Sequence, residues 1–137
     1  MHKNFIHNVK VYYEDTDAGG VVYYANYLKY LERARTEALS NIGLSNIKIK
    51  NDFGVIIIVK SCNIDYKKSE YLEDDLQIKS FVDSTSKTSF LMNQSIFKDK
   101  ELIVEAKIHL VFINEKFKPV KIPEQILSEF EPYTSSS

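Results

Sequence analysis

Apolar and polar positions alternate along residues 9–14, with Val9, Val11 and Tyr13 on one side and Lys10, Tyr12 and Glu14 on the other. A period of two predicts a half-buried strand. The alternation breaks at Asp15-Thr16-Asp17-Ala18-Gly19-Gly20, where turn-forming carboxylates meet half of the four glycines in the chain. Over residues 24–42 the spacing changes to three and four: Tyr27, Leu28, Leu31, Ala34, Ala38, Leu39 and Ile42 recur, with Lys29, Glu32, Arg33 and Glu37 between them. That pattern predicts an amphipathic helix of about five turns, and Gly43 is placed to end it.

The remaining pattern is mostly that of strands. Residues 55–66 form one long, β-branched segment, Val55-Ile56-Ile57-Ile58-Val59 running on through Cys62 to Tyr66. Residues 76–82, 88–97 and 102–113 follow, separated by short turns at Ser84-Thr85-Ser86-Lys87 and Lys98-Asp99-Lys100-Glu101 that suit antiparallel hairpins. Pro123 opens a short helix carrying Ile126, Leu127 and Phe130, and residues 133–137 are expected to fray. A strand, a long helix and then consecutive strands cannot make a doubly wound sheet. The fold class is α+β, with one long helix laid across the apolar face of an antiparallel sheet of about five strands. The sheet's other face then needs water or a second subunit.

Composition narrows the function classes. With 137 residues, 44% of them hydrophobic, the chain fits one domain (1–137, core about 9–130). Eighteen basic against 19 acidic residues give a net charge of -1, so no cationic field points to nucleic acid. The single cysteine, Cys62, excludes an internal disulfide and a Cys-rich zinc module, suits a cytoplasmic location, and in its apolar strand is expected to be a small core residue rather than a nucleophile. The N-terminus has no signal-peptide pattern. The longest apolar run, residues 55–59, falls far short of the ~20 residues of a membrane span. His2, His7 and His109 are scattered, without carboxylate or thiol partners at ligand spacing, and no metal site is expected.

The loop after the first strand is where chemistry concentrates, and three readings compete. Asp15, Asp17 and Gly20 match three positions of a calcium-binding loop, but Gly19 and Asn26 stand where further ligands are required. A solvated turn with helix-capping carboxylates is the plain alternative. The third is a lone carboxylate beside a helix N-terminus, whose unpaired N–H groups stabilise a developing oxyanion. A site this small suits a thioester, because a thiol of pKa about 8.5 departs without a strong general acid.

The residues Tyr13-Glu-Asp-Thr-Asp-Ala-Gly-Gly-Val-Val-Tyr-Tyr24, then Asn26-Tyr27 and Glu32-Arg-Ala-Arg-Thr-Glu37, resemble the YbgC branch of the 4-hydroxybenzoyl-CoA thioesterase family of hot-dog folds. The resemblance runs over about residues 9–130. It implies acyl-CoA hydrolysis, without a cofactor, by a homodimer or a tetramer made of two dimers, with active sites at subunit interfaces. The family's catalytic carboxylate falls on Asp17, as nucleophile or general base, and its oxyanion donor on the backbone N–H of Tyr24. The family usually carries His or Phe at that position, a change to which a backbone donor is indifferent. Tyr23 and Asn26 are the candidate substrate contacts near the loop. Lys87 and Thr88 fall where related enzymes meet the CoA phosphates.

Other residues keep two readings. Tyr23, Tyr24, Tyr27 and Tyr30 are candidates to line an acyl pocket, and Tyr23, Tyr27 and Tyr30, at helical spacing, are equally well explained as core or interface packing. Glu32, Arg33, Arg35 and Glu37 form a charged helix face, from which Glu32 can approach a neighbouring subunit's site. A hot-dog dehydratase or hydratase needs a His paired with an acid, which this loop lacks. The alternative from another class is a non-catalytic protein that docks acyl carrier protein or lipid-synthesis and envelope components.

Overall fold

The computed structural model describes residues 2–17, 19–71 and 73–135. Strands β1 (Phe5–Lys10), β2 (Ile56–Tyr66), β3 (Asp75–Thr85), β4 (Ser89–Lys98) and β5 (Glu101–Ile113) accompany helices α1 (Tyr24–Asn41), α2 (Asn46–Phe53) and α3 (Glu124–Phe130). The strands lie in the order β1-β3-β4-β5-β2 and every pairing is antiparallel. β3, β4 and β5 form a meander whose alternation is the one predicted. Leu76, Ile78 and Val82 of β3 and Phe90, Met92 and Ile96 of β4 are buried on the face toward α1.

α1 lies across that face, the hot-dog arrangement, and buries Tyr27, Tyr30, Leu31, Ala34, Ala38 and Leu39. Burying a large apolar side chain stabilises the fold by about 1.5–3 kcal/mol, so this stripe holds the helix far more firmly than its intrinsic propensity. The layer is not wholly apolar. Gln94 of β4, fully buried, donates through Nε2 to the Leu31 carbonyl at 3.0 Å and to Ser80 Oγ at 3.1 Å, while its Oε1 accepts from Arg35 Nη1 at 2.9 Å. A buried amide with both ends bonded costs little, whereas one left unpaired costs about 1–3 kcal/mol.

Several sequence expectations need correction. The first strand is Phe5–Lys10 rather than residues 9–14, because the register against β3 runs from Phe5 opposite Ser80 to Lys10 opposite Asp75. Tyr13–Asp15 instead forms a 3-10 turn, with Tyr13 81% exposed. Helix α2 was not foreseen. Residues 133–135 do not fray: Tyr133 stacks on Phe5 with ring centroids 3.8 Å apart, and the Ser135 N–H donates to the Val82 carbonyl at 2.8 Å. The last two residues of the expected frayed tail, 136 and 137, lie outside the described residues. Cys62 is exposed, because β2 is the outermost strand and lies past the cover of α1. Arg35 leaves the charged helix face and turns inward to Gln94.

Candidate active site

Residues 15–17 and 19–23 form the arms of a tight hairpin that delivers the chain from β1 to α1. The Asp17 N–H donates to the Val21 carbonyl at 2.9 Å, Thr16 bridges Val22, and the Tyr23 N–H donates to the Asp15 carbonyl at 3.0 Å. Gly20 sits at φ 76°, a left-handed conformation that an L side chain adopts only with strain, so glycine is required there. Asp17 is exposed, and its Oδ1 accepts from the N–H groups of Gly19 at 2.9 Å and Val21 at 3.4 Å. Among the described residues Oδ2 has no partner. Asp15, the other carboxylate of the motif, is buried, and its Oδ2 accepts from the Tyr12 N–H at 3.0 Å. The two acids therefore serve different ends, one shaping the turn and one facing solvent. No group of three or more His, Cys, Asp or Glu side chains among the described residues is placed to share a metal ion.

α1 starts at Tyr24, with Tyr23 as its cap. The Tyr24 N–H is thus the first helical donor, one of those that no carbonyl of the helix can satisfy, at the positive end of the helix dipole. Asn26, one turn in, is buried and donates through Nδ2 to the Asp15 carbonyl at 2.7 Å. Its amide is spent on the loop's backbone. Tyr23 and Tyr24 are each 58% exposed, and the Tyr24 ring leans on Tyr66 of β2 at a centroid distance of 4.9 Å. Tyr27 and Tyr30 are core residues, so of the tyrosines weighed for an acyl pocket only Tyr23 and Tyr24 border open space.

A second segment braces the loop from outside. The Val22 N–H donates to the Glu70 carbonyl at 2.8 Å, Val21 bridges Tyr71, and the Glu70 N–H donates to Tyr27 Oη at 3.0 Å. Burial is the main cause that pushes the Tyr27 phenol up to about 12. Among the described residues Tyr30 Oη, buried beside the Asp15 carboxylate, has no hydrogen-bond partner, and burial first and Asp15 second raise its pKa. Sequence reasoning passed over Glu70, Tyr66 and Tyr71, which lie more than 40 residues beyond the loop and carry no local motif.

The structure thus gathers Asp17, Tyr23, Tyr24 and Asn26, but it sets Lys87 and Thr88 apart. They occupy the β3–β4 turn, where Lys87 is exposed and its carbonyl accepts from the Ile122 N–H, while the Thr88 carbonyl accepts from Phe112 N–H. The loop abuts the opposite end of the sheet, beside Lys98. The ten residues of β4 separate the two ends by ~30 Å at the usual strand rise. Near the Lys87 end, under the second half of α1, lies a largely apolar cavity of about 160 Å³ lined by Glu32, Arg35, Leu39, Ile57, Val59 and Met92 among others. His109, on the far face, shares a hydrogen bond of 2.9 Å with Ser89 Oγ.

Comparison with known proteins agrees with this geometry. Residues 11–130 match the family model described as the thioesterase-like superfamily. The chain is 33% identical over 131 residues to the acyl-CoA thioesterase YbgC of Haemophilus influenzae, covering 95% of this chain and 96% of that protein. It is 38% identical over 125 residues to the acyl-CoA thioester hydrolase YbgC of Escherichia coli O6:H1, covering 90% and 92%. The crystal structure of a probable thioesterase from Bartonella henselae superposes with a TM-score of 0.84 at 30% identity, over 88% of this chain and all of that one. By family model and by sequence, the chain belongs to the thioesterase-like superfamily, together with the YbgC proteins.

Proposed function

We propose that the protein, acting as one domain, hydrolyses acyl-CoA thioesters to the free acid and coenzyme A, with Asp17 as the catalytic carboxylate and the Tyr24 N–H as oxyanion donor. The observation that carries this reading is the Asp17 carboxylate itself: one oxygen is held by two backbone N–H groups and the other has no partner among the described residues, in the hairpin that leads into the first turn of α1. The names of the YbgC relatives support the substrate class. Asp17 Oδ2 attacks the thioester carbonyl carbon or takes a proton from a water that does so. The carbonyl oxygen gains negative charge, which the Tyr24 N–H and the helix dipole stabilise. The C–S bond then breaks and coenzyme A leaves as thiolate; where Asp17 has attacked directly, a water hydrolyses the resulting acyl-aspartyl anhydride and restores the carboxylate, so that on either route the acid takes the hydroxyl of one water and the thiolate its proton. Tyr23 flanks the acyl group, and Asn26 serves the site by fixing the loop. No cofactor takes part.

The site is completed by a second copy of the chain. β2 is an 11-residue edge strand exposing Ile56, Ile58 and Val59, the kind of edge that pairs unless it is blunted. Antiparallel pairing of two β2 edges about a two-fold axis reverses one sheet relative to the other. The cavity at Ile57 and Val59 of one subunit then comes toward the Tyr66 end, and so the Asp17 end, of its partner. The same reversal brings Lys87 and Thr88 of one chain to the side where the other chain's coenzyme A phosphates emerge. A homodimer, alone or doubled into a tetramer, is the active species.

Thiol release measured over a series of acyl-CoA chain lengths, and over acyl carrier protein thioesters, tests the chemistry. Asp17→Asn should lower kcat by about 10²–10⁴; equal turnover would remove Asp17 from the mechanism. Absence of turnover by the wild type on every thioester would replace catalysis with a docking role. Light scattering should give a mass of two or four chains, and a stable, active monomer would refute the shared site.

A further inference from the structure

Glu70, Asp74 and Lys98 form a charged cluster directly behind the catalytic loop. The Glu70 side chain is 4% exposed, that of Asp74 16% and that of Lys98 39%. Lys98 Nζ stands 3.7 Å from Glu70 Oε2 and 3.1 Å from Asp74 Oδ1. Asp74 Oδ2 accepts from the Tyr71 N–H at 2.8 Å, and the Asp74 carbonyl accepts from the Val11 N–H at 2.9 Å. The backbone of the same short turn holds Val22 through the Glu70 carbonyl and meets Tyr27 Oη through the Glu70 N–H. Three parts of the fold converge on it: the chain leaving β1, the hairpin entering α1, and the end of β4. We propose that Glu70 is a positioning residue for the thioesterase reaction, its carboxyl anchoring the turn to Asp74 and Lys98 so that the turn's backbone holds the Asp17 hairpin and the start of α1 in reacting geometry.

The proposal rests on Asp17 being the catalytic carboxylate. Two acids face one ammonium, and the Glu70 side chain is buried, so the cluster is neutral only when one acid keeps its proton. Burial first, and the neighbouring Asp74 second, push the Glu70 carboxyl up to about 7, with Lys98 opposing. Asp74 goes the other way: burial raises it, but the Tyr71 N–H, Glu70 and Lys98 outweigh burial and hold it low. Among the described residues, Tyr27 of α1 and Lys68, which pairs with Glu101, also face Glu70, and Asp99 stands near Lys98. Below neutrality a protonated Glu70 donates to the Asp74 carboxylate and closes the turn. Above it, the second negative charge works against the same contacts.

Three variants and two readouts test this. The wild type should lose kcat above pH 7, whereas Glu70→Gln, which keeps a donor toward Asp74 and cannot ionise, should match wild-type kcat at pH 6 and lack that decline, once both are normalised to the chemical pH dependence of thioester hydrolysis. Glu70→Ala should lower kcat about tenfold or more at every pH with KM little changed. Its Val22 amide should exchange with deuterium about tenfold faster. Superimposable pH profiles for wild type and Glu70→Gln, or wild-type kcat and Val22 protection in Glu70→Ala, would overturn the proposal. Asp17→Asn, assayed alongside, separates the two failures: full activity there sinks the catalytic reading, while the exchange of the Val22 amide still reports on Glu70 without reference to turnover.

Discussion

Asn26→Ala is the sharpest probe of how the loop is held. The substitution removes a 2.7 Å hydrogen bond between Asn26 Nδ2 and the Asp15 carbonyl at a position only 6% exposed. The Asp15 carbonyl keeps the Tyr23 N–H as a second donor, so no acceptor is left wholly orphaned and the hydrogen-bond loss is about 1 kcal/mol. Deleting the amide also leaves a small void, which adds on the order of 1 kcal/mol in a site that cannot fully collapse. Together these predict a loss of about 2 kcal/mol and, for a chain of this length, a fall in Tm of roughly 5–8 °C at fixed protein concentration. Asn26→Asp should be worse despite its similar shape, because an ionised carboxylate would face a carbonyl oxygen in a buried site. The kinetic consequence follows from geometry: slackening the hairpin displaces Asp17 relative to the Tyr24 N–H, and misplacement by about 1 Å costs up to 10²-fold. Differential scanning calorimetry and thiol-release kinetics at a temperature where the variant is fully folded check both parts. A raised KM with undiminished kcat would refute the reasoning and would make Asn26 a direct substrate contact instead.

Tyr27→Phe removes the acceptor of the Glu70 N–H at the heart of the brace, and should cost about 1–2 kcal/mol in thermal or denaturant unfolding while lowering kcat more than it raises KM. Gln94→Leu leaves the inward-turned Arg35 guanidinium without its acceptor and should destabilise by about 3 kcal/mol, measured by urea unfolding; a neutral result would mean that Arg35 swings out to solvent at no cost. Stability should also fall with rising pH between about 5 and 8. The folded chain holds the Glu70 proton more tightly than the unfolded chain, about 7 against 4.5, so that contribution is whole below pH ~4.5 and lost as pH rises through 7. It amounts to at most about 3 kcal/mol. Asp74, held low, contributes above its ordinary range and loses that contribution only in acid. Thermal melts of wild type and Glu70→Gln across this range should diverge, the variant having the flatter profile.

The long helix and the β3–β4–β5 meander were legible because their burial follows a single period: Leu31, Ala34 and Ala38 recur at helical spacing, and Leu76, Ile78, Val82 alternate. Helix α2 was hidden by the same logic. Its sequence, Asn46-Ile-Lys-Ile-Lys-Asn-Asp-Phe53, alternates like a strand, yet only Ile49 is buried and Ile47 is 74% exposed. What makes it a helix is local: Ser45 accepts from the Lys48 N–H at its start, and Gly54 closes it at φ 67°. β1 was misplaced because His7 and Asn8 interrupt its apolar pattern, while Val11 and Tyr13 extend an alternation past the point where pairing with β3 stops. At the site, the hairpin's carboxylates and glycines announce themselves within a few residues. The brace at Glu70 depends on contacts across 43 residues and more, for which composition and spacing hold no signal.

The buried amide of Gln94 has a meaning beyond stability. A helix resting on a sheet through apolar side chains alone can slide along it, since one Leu or Ile contact resembles the next. Gln94 grips a single carbonyl, that of Leu31, seven residues from Tyr24. A slip by one turn would carry the helix start ~5.4 Å along the sheet and would strand a fully buried polar group in the process. The interior thus works as an index mark, converting the position of a sheet residue into the position of the helix end where the Tyr24 N–H points.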